Sequence, residues 1–248
     1  MSQIDLSHEH STKAIRERLE AGSSPSYLRD WIYGGIDGGI TTFAIVSGVI
    51  GANFSTNVIL ILGAANILAD GFSMAASNYT GTKAENDEFE RIQAYEERQL
   101  EKDPEGERRE IEEIYRNKGF SGDDLERATS IITADRKLWI ETMMVEEYGL
   151  PTVERSPYKA ALGTFFAFLA CGLVPLIPFL LSPWLLDRTS ASIICVVITA
   201  ATFFLIGSAK SKWSLASWWK SGLETFAIGM GAAGIAFLIG FLLRDFAG

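Results

Sequence analysis

The sequence predicts an all-α, polytopic membrane protein with five transmembrane helices and a cytoplasmic three-helix insert between spans two and three. Three observations carry that prediction. Apolar stretches at about 28–52, 57–77, 160–182, 191–208 and 223–243 each approach the roughly 20 residues an α-helix needs to cross the hydrocarbon of a bilayer. Charge is segregated: 82–155 holds 21 Asp and Glu against 12 Lys and Arg, which accounts for the whole net charge of −9, and the rest of the 248-residue chain is balanced. Basic residues also fall on one side of the five spans. Lys13, Arg16 and Arg18 precede span one and Arg29 lies at its start, Lys210, Lys212 and Lys220 follow span four, and the insert carries its own 12. The positive-inside rule makes that side cytoplasmic, and an odd number of spans puts the C-terminus on the other. The expected domains are a cytoplasmic tail (1–27), spans one and two (28–81), an acidic helical domain (82–155) and spans three to five (156–248).

The first thirty residues, MSQIDLSHEHSTKAIRERLEAGSSPSYLRD, are polar and mixed in charge, unlike a cleavable signal. His8 and His10 in SHEH could bind a metal weakly, but an incidental polar tail accounts for them better. Span one, WIYGGIDGGITTFAIVSGVIGA, places Asp37 among small and apolar residues, and GGIDGG is Gly-rich enough to distort a helix there. A short turn near Asn53 leads to span two, whose NILADGFSMAASN sets Asn66, Asp70, Met74 and Asn78 at intervals of four, one stripe on a helix. Asp37 lies as far before the turn as Asp70 lies after it, so an antiparallel hairpin brings both to nearly one depth.

Insert helices follow from start and stop signals. The first continues from span two through KAENDEFERIQAYEERQLEK, Asp103 and Pro104 open a second that Gly119 ends, and Ser121 with Asp124 opens a third that Gly149 and Pro151 close after LWIETMMVEEY. Trp184, Trp213, Trp218 and Trp219 sit at span ends as interfacial aromatics do. Cys171 and Cys195 lie inside spans and form no disulfide framework. Glu224, near the start of span five, is a polar outlier without an assigned role.

A carboxylate in hydrocarbon costs about 3 kcal/mol or more unless it faces protein or water. Two at one level can share a proton, bind a cation together, or do each in turn. The bland alternative is that each accepts hydrogen bonds from backbone or from Thr41 and Thr42 at a helix break. Met74 on the same stripe favours a softer first-row divalent ion over Mg²⁺ or Ca²⁺. The insert repeats the pairing of carboxylate with thioether. Glu107, Glu110 and Glu113 recur every three residues, Met143 and Glu147 are four apart beside Met144, and Glu96 with Glu97 on the first insert helix would complete a site. Taken singly, each Glu is an ordinary surface residue. The acidity disfavours nucleic acid and anionic lipid and suits cations.

DGGITTF, ADGFSMAASNY running into KAE, the acidic helices ending in MMVEEYGL, and GLVPLIPF occur in an order and spacing that resembles the vacuolar iron transporter family, from about Tyr33 onward. The resemblance implies a five-span homodimer that moves Fe²⁺, and often Mn²⁺, out of the cytoplasm in exchange for protons, with Co²⁺, Ni²⁺ and Zn²⁺ as further candidates and no permanently bound cofactor. It implies that Asp37 and Met74 line the translocation path near the dimer interface. It also implies that Glu96, Glu107, Glu110, Met143, Met144 and Glu147 match ligand positions of a cytoplasmic metal-binding domain. Two departures stand out: Asn66 occupies the place of a span-two Glu in plant members, with Asp70 one turn further on, and Gln99 replaces an expected ligand Glu. The expected member is prokaryotic, in the plasma (inner) membrane; a eukaryotic one would lie in the vacuolar membrane. Small residues in GGIDGG and GMGAAG would let two copies approach closely. The competing reading is a metal-responsive membrane sensor without flux. An enzyme lacks support, because there is no His/Cys catalytic constellation and no phosphate-binding loop.

Overall fold

A computed structural model describes residues 10–21, 24–151 and 153–246; His8 lies outside them. Every regular element among the described residues is a helix, and five segments are long and apolar enough to cross a membrane. The chain is therefore an all-α polytopic membrane protein. It divides into two compact units, Ser26–Thr80 with Pro157–Gly248 and the N-terminal segment in one, Gly81–Ser156 in the other.

In the first unit, α1 (Thr12–Ala21) precedes α2 (Leu28–Gly51), which is the central helix. Along its length α2 packs against α7 (Pro157–Leu173) and α10 (Trp218–Leu243), and α10 packs on α9 (Arg188–Lys210). Phe43, Val46 and Val49 of α2 meet Ile67, Phe179, Cys195 and Phe203 in the core between them. Glycine sets the approach. A Cβ on Gly34 would lie 2.3 Å from the Thr164 carbonyl oxygen, and one on Gly38 2.4 Å from that of Phe168, so α2 and α7 cross backbone to backbone. Gly51 meets the Phe237 carbonyl and Gly240 that of Gly48, which repeats the device against α10.

These contacts correct the expected role of GGIDGG. The helix runs through it unbroken, because the glycines are held in regular geometry by neighbouring helices, and they are spent on packing within the chain. In GMGAAG, Gly229 faces the Phe203 ring, whereas Gly231 and Gly234 have open space beside them. Asn53 turns the chain with φ of 59°, a left-handed conformation that Asn tolerates, and Arg188 donates to its side-chain oxygen at 3.4 Å and to the Phe54 carbonyl. Asp187 caps α9 by accepting from the Thr189 and Ser190 amides. Span three is not one regular helix: a 3₁₀ turn, Val174–Leu176, carries Pro175 between α7 and α8 (Ile177–Leu185). Glu224 gains a partner in Lys210 at 3.4 Å, a link between α10 and α9 near their ends.

The second unit contains the later part of α3 (Thr56–Lys102), which is continuous as expected, with α4 (Pro104–Asn117), α5 (Gly122–Thr133) and α6 (Arg136–Glu146). Asp103 caps α4 through the Gly106 amide at 2.9 Å, and Gly119 and Gly149 take positive φ after α4 and α6. Two expectations change. The third insert helix is divided in two, because Asp135 accepts from the Lys137 and Leu138 amides and starts α6 afresh. Ser121 takes the N-cap position of α5, but its side chain makes no capping bond. Leu100, Ile140 and Met144 form the apolar core with Phe89, Ile92 and Trp139 around them.

Candidate functional site

In the first unit α2 and α3 run antiparallel, and their polar side chains meet in rungs. Nearest the turn, the Asn66 amide donates to Thr41 Oγ1 at 3.2 Å and to Thr42 Oγ1 at 3.4 Å. One turn further, the carboxylates of Asp37 and Asp70 stand in each other's field. Last, the Asn78 amide donates among Asp30 Oδ1 (2.9 Å), Thr164 Oγ1 (2.7 Å) and the Ala160 carbonyl (3.2 Å). Every rung is centred on the turn at Asn53, so the equal-depth placement of Asp37 and Asp70 holds. Thr41 donates to the Asp37 carbonyl at 2.9 Å, an ordinary bond within a helix and not a bond to the carboxylate. Asp37 and Met74 are half-buried and Asp70 is exposed on this chain.

The second unit gathers Glu96, Glu107, Glu110 and Glu147 within one another's fields. Glu96 is 1% exposed and Glu107 5%. One oxygen of each, Oε2, is buried with no hydrogen-bond partner, although the Glu107 carboxyl is within hydrogen-bonding reach of Glu96. Two bare carboxylate oxygens in that position can be bridged by a proton or by a cation. Desolvation, followed by the charges of Glu110 and Glu96, the bond to Glu96 and the charge of Glu147, pushes the Glu107 carboxyl up to about 7. Glu110 is raised by desolvation and by Glu96 and Asp103, and Glu147 by desolvation and by Glu110 and Glu96. Tyr148 donates to Glu96 Oε1 at 2.8 Å, and desolvation with that bond keeps its phenol protonated. Met143 is fully buried one turn before Glu147, whose amide donates to the Met143 carbonyl at 2.9 Å.

Other expected ligands go elsewhere. Glu113 pairs with Arg116 on the exposed side of α4, since a three-residue step falls about 60° short of a full turn and the row winds away from Glu107. Met144 packs with Leu100 and Ile140. Glu97 and Met144 line an open groove of about 460 Å³ together with Phe89 and Arg136. Gln99 is half-buried on α3. Among the described residues no three His, Cys, Asp or Glu are arranged so that they could hold a metal ion between them.

The sequence model of the VIT family matches residues 28–241, which takes in both groups. The chain belongs to the VIT family. It is 36% identical over 232 residues to the vacuolar iron transporter of Toxoplasma gondii, covering 90% of this chain and 76% of that one. It is 30% identical to vacuolar iron transporter 1 of Arabidopsis thaliana over 96% of this chain and 95% of the other. To vacuolar iron transporter 1 of Eucalyptus grandis it is 31% identical, over 92% of each. These relatives are transporters by name, not enzymes.

Two residues of this VIT-family chain escaped the sequence reading. Asp30, 3% exposed, is two turns before Asp37 on α2, and that i, i+7 spacing was the available signal. Tyr148 was legible only as an aromatic directly after Glu147; its reach back to Glu96, 52 positions away, is tertiary.

Proposed function

We propose that the chain carries Fe²⁺, and Mn²⁺ as well, out of the cytoplasm in exchange for protons. The observation that carries the proposal is the pair Asp37 and Asp70, two carboxylates at one level of a membrane hairpin with Met74 one turn on. The names of its relatives supply the iron. Glu96, Glu107, Glu110, Glu147 and Met143 of the acidic unit collect the ion on the cytoplasmic side, which also holds the N-terminus. Asp37, Asp70 and Met74 pass it across. A proton and a divalent ion compete for the same oxygens, so protonation from the far side releases the cargo.

The carrier is a homodimer in this reading. Asp70 is exposed on a single chain, and a carboxylate facing lipid is costly, so a second copy covers that face and encloses a common path. The membrane is vacuolar in a eukaryotic host and the plasma membrane in a prokaryotic one.

The test is flux. Purified protein in liposomes with a metal-sensitive dye inside is expected to admit Fe²⁺ or Mn²⁺, faster with an imposed pH gradient, and Asp37→Ala is expected to abolish entry. Metal binding without flux would turn the reading into a sensor. Flux indifferent to pH would leave transport and remove proton exchange.

A further inference from the structure

We infer that Tyr148 is a specificity-determining residue: by holding one oxygen of Glu96, it restricts that carboxylate to single-oxygen donation and so selects first-row divalent ions over Ca²⁺. The inference rests on the collecting role assigned to the acidic unit above. Its evidence is asymmetric occupation of one buried side chain. Glu96 Oε1 accepts from the Tyr148 hydroxyl at 2.8 Å, while Glu96 Oε2, equally sealed from water, has no donor other than the proton of the neighbouring Glu107 carboxyl, whose Oε2 is also buried. A buried carboxylate oxygen without a donor is costly, so an arrangement that leaves the two facing oxygens at most one proton to share is completed by what binds there.

The two classes of cation differ in what they ask of Glu96. Ca²⁺ takes 6–8 oxygens at about 2.3–2.6 Å and draws on bidentate carboxylates to reach that number. A first-row ion is satisfied by fewer ligands at about 2.0–2.2 Å and accepts one oxygen from each of several groups, with a thioether such as Met143 as a soft addition. With Oε1 turned toward a neutral phenol, Glu96 offers its second oxygen alone. The bond also fixes the carboxylate plane, which is what an outer partner does for a ligand. Tyr148 follows Glu147 directly in the chain, so its bond to Glu96 ties the α3 carboxylate to the end of α6.

Tyr148→Phe removes the hydroxyl and keeps the ring. The experiment titrates the full chain in detergent with Mn²⁺ and separately with Ca²⁺, and counts as binding at this site the portion that Glu96→Gln removes. The readout is the ratio of the two affinities, which a misfolded fraction does not move because it lowers both occupancies together. Tyr148→Phe is expected to weaken Mn²⁺ about tenfold while Ca²⁺ holds or tightens, so that the preference falls about tenfold or more. An unchanged ratio, including equal weakening of both ions, would overturn the inference and leave Tyr148 a structural residue. If the wild-type chain shows no Mn²⁺ binding that Glu96→Gln removes, the collecting role itself fails and the selectivity argument goes with it.

Discussion

Glu107 shows what burial among like charges does to a single side chain. Its carboxyl titrates near 7 where an unfolded Glu titrates near 4.5, so between those values the folded chain holds a proton that the unfolded chain has released. By linkage, the stability this residue contributes is full below about pH 4.5 and is lost as pH rises through about 7. Metal-free protein is therefore expected to melt at a lower temperature at pH 7.5 than at pH 5, and Glu107→Gln to flatten that drop; a drop of the same size in the variant would remove Glu107 as its cause. A cation reverses the sign, since it needs the carboxylate deprotonated and repays the repulsion. Mn²⁺ binding should accordingly strengthen from pH 5.5 to 7.5, measured by dye competition. None of this was legible in the Glu107, Glu110, Glu113 spacing. That row places Glu107 and Glu113 alike, but α4 turns one into the interior and leaves the other beside Arg116.

At the scale of the element, α2 joins the fold to the proposed path. The glycines that bring it onto α7 also surround Asp37, so packing and the proposed translocation residue occupy one stretch of helix. Gly38→Val would put a branched side chain where a Cβ alone stands 2.4 Å from the Phe168 carbonyl oxygen and 2.8 Å from its Cα, both backbone atoms that cannot swing aside. A loss of about 1–3 kcal/mol is expected, seen as a lowered melting temperature in detergent. Gly231→Ala, with open space beside it in the chain, is the matched control. Helix ends were readable wherever a local signal acts alone, as Asp103 with Pro104 does at α4 and Gly149 does after α6. The division of α5 from α6 was missed because Asp135 can be a surface residue of one helix or the cap of a new one, and its neighbours decide which.

For the whole molecule, the two units have opposite surfaces. One exposes large apolar side chains such as Ile61, Phe166, Val197 and Leu238 along its spans, as a face toward lipid requires, and the other carries the acidity. Against that apolar surface, exposed Asp70 marks the face that a second copy would cover. In a background lacking Cys171 and Cys195, Asp70→Cys is expected to give a dimer with a short thiol cross-linker, while Ile193→Cys on exposed α9 is not. A dimer from Ile193→Cys alone would place the interface on the other side.

By itself the sequence determined the five spans, the acidic insert and the level pairing of Asp37 with Asp70. Each follows from a one-dimensional quantity: length of apolar run, count of charge, or distance from a turn along two rigid helices. Tertiary structure alone decided which glycines are consumed within the chain, that Asp30 is tied to Asn78 and Thr164, and that Tyr148 holds one oxygen of Glu96. Those outcomes depend on which helix faces which. Short-range contact between residues far apart in the chain sets them, and no local periodicity encodes it.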